Sequence, residues 1–408
     1  MTQDTSKAGS SESLMAFVLR VEIAGQRSIL HCLLKCAMTK FFDVCIRGDG
    51  VVGRTMALLL AKERLKVALL SQTPSPRPAD IRAYALNGAS KKLLESLRVW
   101  PDESFATPVS AMQVWGDDGG QLEFNAQKSG QDSLTWIVDV PQLEDQLLQA
   151  CSYQSAIQTV TEPDLVDIKA PLSVICEGQK SSARASLSEH WTRKPYARKA
   201  IAARLTSSLP HGGCARQWFA NGEVLALLPM GGPQGNSLAL VWSVTDEHAA
   251  LLNQLPPEEF CAALSTACQG RAGALQLTSL TASWPLALSG ADRWVGPGWA
   301  LAGDAAHTVH PLAGQGLNLG LADAACLAQV VASREYWRGL GDEKLLRRYE
   351  RARKADVAAV SAVTDGLQSL FAQTEPGWQT ARNWGMNAIA ASAPLKNWLA
   401  QRAAGLPL

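Results

Sequence analysis

The sequence lacks the patterns that define several common classes of protein. No run of about 18 uncharged apolar residues is present, so no membrane span is expected, although binding to a membrane surface stays open. None of the nine cysteines forms a C-x-x-C pair, which disfavours a zinc ribbon; their odd number and wide spacing favour reduced thiols in a cytoplasmic protein. The G-x-S-x-G motif of serine hydrolases is also missing.

An excess of charge of one sign is also absent. The chain has 38 Lys and Arg against 37 Asp and Glu, and hydrophobic residues make up 47% of it. This balance argues against a disordered chain and against nucleic-acid binding driven by bulk positive charge. Small molecules or other proteins are therefore the expected partners. A chain of 408 residues, at roughly 150 residues per domain, predicts two or three domains.

The first 37 residues resemble neither a signal peptide nor a transit peptide. They open with a Ser/Thr/Gly-rich run in which the acidic residues Asp4, Glu12 and Glu22 are interspersed. Met38 is followed directly by a strand-like segment. We therefore interpret residues 1–37 either as an over-extended reading frame, with Met38 the true start, or as a poorly ordered arm.

The segment after Met38 has the pattern of a parallel βαβ unit. A short apolar strand is predicted over 41–46, an apolar helix over 55–64 and a second buried strand over 66–70. Strand-like patterns dominate 185–292, which is typical of an antiparallel sheet. From Leu317 to the end the pattern is mostly helical.

A glycine motif lies between the first strand and the first helix. Gly48, Gly50 and Gly53 are spaced as G-x-G-x-x-G, which allows a tight turn, close approach of a pyrophosphate and a phosphate resting on the helix N-terminus. We predict a dinucleotide site here; the alternative is a simple tight turn. The acid expected at the end of the second strand, where it would bond the adenosine ribose, is replaced by Ser71, followed by Gln72.

A second motif runs from strand to loop to helix between Trp299 and Gly320. It places the carboxylate of Asp304 at a strand end and free N–H groups near Gly316 and Leu317 at a helix start. This arrangement suits a ligand with hydroxyls at one end and a ring that gains negative charge at the other. A flavin has both features.

A metal site is not expected in this segment. His307 and His310 are three residues apart, but no further His or Cys lies nearby in the sequence to complete a ligand set. The segment is also predicted to be a loop rather than one face of a helix. We therefore assign no metal.

These motifs, together with Asp80-Ile-Arg82, resemble those of the class A flavoprotein monooxygenases, the family of para-hydroxybenzoate hydroxylase. The similarity is greatest to the branch that hydroxylates prenylated rings in ubiquinone biosynthesis, and it extends over residues 41–350. It implies an α/β fold with a Rossmann-like FAD-binding domain, a β-rich substrate domain and a C-terminal helical segment. The cofactor-binding residues implied are Gly48, Gly50, Gly53, Arg54, Ser71, Arg82, Gln142, Glu177, Asp304, Pro311, Gly314, Gly316, Leu317 and Asn318.

Three positions depart from the family pattern. Glu177 stands where the family has the Asp of an Asp-Gly motif, Pro141-Gln142 occupies a place where an Arg is usual, and Ser71 replaces the ribose-binding acid. These departures motivate an alternative, a degenerate non-catalytic paralogue serving as a subunit of a biosynthetic complex. If they represent decay, Ser71→Glu should tighten FAD binding roughly tenfold, or about 1.4 kcal/mol, unless a neighbouring group already satisfies the ribose.

The resemblance also implies how the chain divides into domains. The FAD-binding domain is predicted to comprise 38–107, 136–184 and 293–345, the substrate domain 108–135 and 185–292, and the C-terminal helical segment 346–408. Each of the first two domains is thus expected to be discontinuous in sequence.

The reaction implied is hydroxylation of an aromatic ring with FAD, NAD(P)H and O2. The expected substrate is a polyprenylated phenol or benzoquinol in ubiquinone biosynthesis, and the alternative is a soluble aromatic acid. No catalytic side chain is assigned, because the oxygen chemistry belongs to the cofactor. The basic, Trp-containing C-terminal region is interpreted as a helix packed on the domain with a solvated basic face; the alternative is a surface that contacts anionic lipid or partner proteins. The expected location is cytoplasmic, with peripheral contact at the inner face of the membrane and membership of a ubiquinone-biosynthesis complex left open.

Overall fold

The computed structural model describes residues 39–71, 80–116, 119–187, 190–309 and 315–372. The predictions for residues 1–37, Pro311, Gly314 and residues 373–408 lie outside the described residues. Over the described ranges the chain has the mixed α/β architecture predicted from the sequence. The division into domains stays a prediction.

The elements are numbered in chain order. The strands are β1 (Lys40–Phe41), β2 (Val44–Arg47), β3 (Val67–Leu70), β4 (Ala83–Leu86), β5 (Ala106–Val109), β6 (Ala111–Trp115), β7 (Gln121–Asn125), β8 (Thr135–Asp139), β9 (Ile157–Val160), β10 (Ile168–Lys169), β11 (Leu172–Ile175), β12 (Trp191–Ser207), β13 (Cys214–Ala220), β14 (Glu223–Met230), β15 (Ser237–Thr245), β16 (Leu275–Leu277), β17 (Ala282–Ala291), β18 (Val295–Gly296), β19 (Trp299–Leu301) and β20 (His307–Thr308). The α-helices are α1 (Val51–Lys62), α2 (Gly88–Ser96), α3 (Val140–Tyr153), α4 (Ser182–Leu187), α5 (Asp246–Leu252), α6 (Pro257–Ala267), α7 (Gln315–Ala332) and α8 (Glu343–Ala372).

A six-stranded sheet in the order β18-β19-β11-β2-β3-β9 contains the predicted βαβ unit. All of its neighbouring strands are parallel except the pair β18 and β19. Strands β2 and β3 are almost wholly buried, which explains their continuous apolar sequences. The unit β2-α1-β3 is therefore present as expected, and it brings the glycine motif to the carboxyl edge of the sheet.

Two boundaries in this unit differ from the prediction. The strand expected over 41–46 is two strands, since β1 pairs with β10 and β2 pairs with β11 and β3. Asp43 lies between them and accepts a hydrogen bond from the backbone N–H of Lys66 at 2.7 Å, which joins the break to the start of β3. Helix α1 begins at Val51 rather than Thr55, because the helix starts inside the glycine motif.

A second sheet of nine strands includes the strand-rich stretch predicted over 185–292. Its order is β20-β17-β12-β15-β14-β13-β6-β7, with β16 on β12, and all its pairs are antiparallel except β13 with β6. Helices α5 and α6 pack on it around the buried side chains of Trp242 and Phe260, whose rings are 6.4 Å apart. This helix-covered face forms a separate hydrophobic core.

A three-stranded sheet, in the order β4-β8-β5, connects the two larger sheets. Arg204 of β12 donates from Nη2 to the carbonyl oxygen of Arg82 at 2.9 Å and to Oδ2 of Asp139 at 3.3 Å. Val109 and Ile137 of the small sheet pack with residues of the nine-stranded sheet in one buried cluster. The small sheet is therefore joined to the nine-stranded sheet by both polar and apolar contacts, and Leu86 and Val138 of the small sheet also belong to the buried cluster of the parallel sheet.

Helix α7 packs closely on α1 because one of its residues is glycine. A Cβ placed on Gly320 would lie 2.7 Å from Cγ2 of Val52 and 3.4 Å from Cα of Gly303. Helix α8 is tied to the parallel sheet by Tyr349, whose hydroxyl donates to the carbonyl of Leu301 at 2.8 Å. Among the helices in the described ranges, none is long and apolar enough to cross a membrane.

Candidate active site

The glycine motif forms a tight turn that cannot hold side chains at two of its three positions. Gly48 has φ +106°, and a Cβ there would lie 2.5 Å from the carbonyl oxygen of Cys176. A Cβ on Gly53 would lie 1.9 Å from the carbonyl oxygen of Gly48. Both positions therefore require glycine for the protein's own packing.

Gly50 differs, because its open side faces a space that a ligand could fill. No described atom lies within 4 Å of a Cβ placed there. Gly50 is also the N-cap of α1, and no side chain of the described residues caps the helix at this residue. An uncapped helix N-terminus beside open space fits a pyrophosphate.

Asp304 lies at the end of β19, in a single turn of 3₁₀ helix over Gly303–Ala305. Asp304 is exposed, and its side chain accepts a hydrogen bond from the side chain of Gln179. Desolvation by the surrounding protein raises the pKa of Asp304, an effect that the nearby His307 partly opposes. An accessible carboxylate at this position is suited to accept hydrogen bonds from sugar-like hydroxyls.

A buried carboxylate holds the Asp304 loop in place. Asp323 of α7 is fully buried and accepts from the backbone N–H of Gly303 at 2.9 Å, His307 Nε2 at 2.7 Å and Arg353 Nε at 2.8 Å. Burial alone would raise the pKa of Asp323, but the charge and hydrogen bond of His307, with the Arg353 guanidinium, hold it below its ordinary value.

Asp323 is not among the residues predicted from the sequence. The available signal was an acidic residue within the apolar run of a helix, which rarely occurs without a partner. His307 donates to this carboxylate and stacks on the ring of Trp294 at 4.8 Å. Over the described parts of the chain, no cluster of three or more His, Cys, Asp or Glu side chains is arranged to hold a metal.

The Glu177 carboxylate has three protein donors. Arg47 Nε donates to Oε1 at 2.8 Å, and the Ser181 hydroxyl and the Ala183 N–H donate to Oε2 at 2.7 and 3.2 Å. Burial opposes its ionisation, but these hydrogen bonds keep the pKa of Glu177 below its ordinary value. The carboxylate therefore links β2 to the start of α4, and its predicted contact with the cofactor stays a prediction.

Asn318 fixes the start of α7 against the small sheet. Its Oδ1 accepts from the Asn87 N–H at 3.0 Å and the Ser90 hydroxyl at 2.7 Å, and its Nδ2 donates to the carbonyl of Ala85 at 2.9 Å. The side chain thus positions the helix start, where the backbone of Gly316 and Leu317 lies. No described atom lies within 4 Å of a Cβ placed on Gly316, so this end of α7 also faces open space.

Arg82 and Gln142 lie on adjoining elements. Arg82 donates to Asp80 from Nε at 2.9 Å and to Glu144 from Nη2 at 3.0 Å. The hydrogen bonds that Arg82 donates to Asp80 raise the pKa of Arg82 above its ordinary value. Gln142 lies in the first turn of α3, two residues before Glu144. Their predicted contact with the cofactor stays a prediction.

Ser71 and Arg54 meet at a carboxylate that the motif analysis did not single out. The Ser71 hydroxyl donates to Oδ2 of Asp49 at 2.7 Å, and Arg54 Nη2 reaches the same oxygen at 3.3 Å. Arg54 also donates from Nη1 to the carbonyl of Glu144 at 3.2 Å. The sequence signal for Asp49 was its place between two glycines of the turn.

The predicted residues converge because they follow the carboxyl ends of neighbouring parallel strands. Gly48 follows β2, Ser71 follows β3, Glu177 lies just beyond β11 and Asp304 lies just beyond β19. Carboxyl ends of parallel strands meet at one edge of the sheet, which is where open α/β sheets bind ligands. The turn, the open side of Gly50 and the exposed Asp304 together fit an elongated dinucleotide.

Comparison with known proteins shows which family this chain belongs to. Residues 153–364 match the FAD binding domain family, and the chain is 31% identical to the ubiquinone hydroxylase UbiL of Rhodospirillum rubrum over 90% of both chains. The chain belongs to the FAD-binding monooxygenase family. A second relative of this flavoprotein, the 3-demethoxyubiquinol 3-hydroxylase of Escherichia coli, is 29% identical over 89% of this chain and 98% of its own.

Solved structures share the fold of this FAD-binding monooxygenase. PqsL of Pseudomonas aeruginosa in complex with 2-aminobenzoylacetate has a TM-score of 0.71 at 21% identity, covering 85% of this chain and all of its own. The p-nitrophenol 4-monooxygenase PnpA of Pseudomonas putida also has a TM-score of 0.71, at 14% identity over 91% of this chain and all of its own. The predicted fold class, the FAD cofactor and the FAD-dependent monooxygenase assignment are confirmed.

Proposed function

We propose that this monooxygenase hydroxylates the aromatic ring of a polyprenylated phenol or benzoquinol in ubiquinone biosynthesis. The observation that carries the proposal is the match along 90% of both chains to a protein named as a ubiquinone hydroxylase. A second relative, the mitochondrial COQ6 of Drosophila melanogaster, is named as a ubiquinone biosynthesis monooxygenase and is 28% identical over 90% of both chains. In this reaction one atom of O2 enters the ring and the other leaves as water.

The residues at the sheet edge have distinct roles in holding FAD. The Gly48 turn and the N-terminus of α1 would bind the pyrophosphate, Asp304 the ribityl hydroxyls, and the start of α7 near Gly316 the ring edge. When bound, FAD supplies the transfer of electrons from NAD(P)H to O2, which protein side chains do not perform. The protein binds and orients the reactants and stabilises charge.

The nine-stranded sheet is positioned to hold the substrate next to this cofactor. Strand β20, directly after the Asp304 turn, pairs with β17 of that sheet through His307 with Gly290 and Thr308 with Ser289. The hydroxyls of Ser289 and Thr308 also share a buried hydrogen bond of 2.6 Å. The nine-stranded sheet is thereby attached to the turn that carries Asp304. An aromatic ring bound on this sheet would therefore lie near the flavin.

The substrate's tail motivates the proposed location of the enzyme. A polyprenyl chain partitions into a bilayer, because each buried CH₂ group contributes about 0.8 kcal/mol. We propose a cytoplasmic enzyme that meets its substrate at the inner face of the membrane by peripheral contact. Association with other enzymes of ubiquinone biosynthesis belongs to the same proposal.

Complementation tests the proposed substrate class. The chain would be expressed in bacterial strains that each lack one ubiquinone-pathway ring hydroxylase, with its Asp304→Ala variant as the matched control. We expect the wild-type chain to restore ubiquinone in one strain and to remove the precursor accumulated there. Failure in every strain, by a protein that binds FAD and hydroxylates a soluble aromatic acid, would overturn the proposal.

A further inference from the structure

Asp49 lies inside the glycine turn, and its carboxylate is directed at the end of strand β3. Its Oδ2 accepts from the Ser71 hydroxyl at 2.7 Å and from Arg54 at 3.3 Å. The side chain is 25% exposed, so it is neither buried in the core nor free on the surface. Within the described residues, its hydrogen bonds all fall on one of its two oxygens.

Dinucleotide-binding folds of this kind usually have a carboxylate at the end of the second strand, which here is β3. An acid at the end of the second strand normally bonds the adenosine ribose hydroxyls, and here that position is Ser71. A serine hydroxyl has one oxygen atom, so it cannot offer two separate acceptor atoms to the ribose hydroxyls, whereas a carboxylate offers two charged oxygens. The carboxylate of Asp49 lies one hydrogen bond away from it.

We propose that Asp49 supplies the carboxylate that recognises the adenosine ribose of FAD, in place of the missing acid at position 71. The inference rests on the FAD-binding function. Ser71 acts as a positioning residue, because its hydroxyl holds Oδ2 and leaves Oδ1 to accept from the ribose. The acidic group has moved from the end of β3 to the turn before α1.

Arg54 makes this placement electrostatically feasible. A carboxylate inside a phosphate-binding turn would repel the pyrophosphate, and a nearby guanidinium reduces that repulsion. Arg54 is 12% exposed, and its Nη1 donates to the carbonyl of Glu144 on α3. Its charge is therefore held beside Asp49 by the fold.

The proposal reverses the sequence-based expectation for Ser71→Glu. A glutamate at position 71 would bring a second carboxylate close to that of Asp49, and two like charges at that distance repel. The variant should therefore bind FAD more weakly than the wild type. Ser71 then represents an adaptation to Asp49 rather than decay of the site.

Titration of the apoprotein with two ligands tests the proposal. The probes are FAD and an FAD analogue that lacks the adenosine 2′-hydroxyl, and the variant is Asp49→Asn. We expect the wild type to prefer FAD by about tenfold and Asp49→Asn to lose that preference. Asp145→Asn, which removes the same charge from an exposed position on α3, should keep it.

A second pair of variants keeps the test decisive if Asp49→Asn is poorly folded. Ser71→Glu should weaken FAD binding, and Asp49→Asn combined with Ser71→Glu should recover both affinity and the preference for FAD. If Asp49→Asn lowers the affinity for FAD and for the analogue equally, Asp49 only maintains the conformation of the turn, and the proposal is overturned. Tighter binding by Ser71→Glu alone would also overturn it, whereas absence of FAD binding by the wild type would contradict the FAD-binding function itself.

Discussion

Two carboxylates beside one loop have opposite electrostatic environments. Asp304 is exposed, with its pKa raised by desolvation, whereas Asp323 is fully buried with its pKa lowered by His307 and Arg353. Asp323 is committed to bonds within the protein, including one to the backbone N–H of Gly303. Asp304 is therefore accessible to a ligand, whereas Asp323 holds the turn that carries Asp304 in place.

Asp304→Ala tests the first of these roles. A carboxylate bonded to ribityl hydroxyls contributes about 1.5–3 kcal/mol, so FAD affinity should fall roughly tenfold to a hundredfold. The thermal stability of the apoprotein should change little, because the side chain is exposed. Parallel FAD titration and thermal unfolding of the apoprotein measure both effects. An unchanged FAD affinity would remove Asp304 from the site.

Asp323→Ala should instead unfold the protein more readily. It leaves the buried Arg353 without its main partner, which costs about 3–5 kcal/mol. Asp356→Ala is the matched control, since Asp356 pairs with the same guanidinium at 66% side-chain exposure and should cost less than about 1 kcal/mol. Urea unfolding of both variants measures the difference, and equal losses would contradict the role given to Asp323.

The same carboxylate predicts a pH dependence. The pKa of Asp323 is lower in the folded protein than the ordinary value of about 3.9 expected after unfolding. Its contribution to the free energy of unfolding is therefore fully present above that value and is lost as the pH falls through the lower folded pKa. Urea unfolding between pH 6 and 3 should show this loss in the wild type and a shallower one in Asp323→Asn. The loss due to Asp323 should begin only as the pH falls below about 3.9, the pKa of the carboxyl in the unfolded chain.

In the turn before α1, different glycines are expected to matter for folding and for cofactor binding. Gly50→Asp should leave the apoprotein as stable or more stable by a few tenths of a kcal/mol, because Asp is a favourable N-cap. It should abolish tight FAD binding, since the new side chain enters the open space and repels the pyrophosphate.

Gly53→Ala is the contrasting variant. Its Cβ meets the carbonyl of Gly48, so the apoprotein itself should lose about 1–3 kcal/mol or more of stability. Thermal unfolding without FAD distinguishes the two. A Gly50→Asp apoprotein destabilised as much as Gly53→Ala would show that the space beside Gly50 is needed for folding rather than for the cofactor.

The elements that were predictable from the sequence are those specified by local pattern. Strands β2, β3 and β11 are short, continuous apolar runs, and α1 follows a glycine turn, so their order and the position of the site were recognisable. The contacts of Asp323 with His307 and of Asp49 with Ser71 could not be predicted, because they join residues that are 16 and 22 positions apart in the sequence. Such tertiary pairings depend on how elements pack, which local periodicity does not encode.

At the scale of the whole molecule, three sheets meet around one edge. The parallel sheet supplies the strand ends, the nine-stranded sheet joins it through β20, and Arg204 attaches the small sheet to β12. Strand β20 follows the Asp304 turn directly and pairs with β17, so a ligand bound on the nine-stranded sheet beside β20 would lie near Asp304. The proposed ring hydroxylation rests on the match along 90% of both chains to a protein named as a ubiquinone hydroxylase, and this arrangement is compatible with it.

Isotope labelling tests whether the FAD-loaded protein inserts oxygen into a prenylated ring. The purified protein would react with NAD(P)H, ¹⁸O₂ and a phenol carrying a short prenyl chain, and the product would be analysed by mass spectrometry. We expect one ¹⁸O atom in the ring, with none incorporated when FAD is omitted. Consumption of NAD(P)H by the FAD-loaded protein, with hydrogen peroxide as the product and no label in any prenylated phenol, would contradict it.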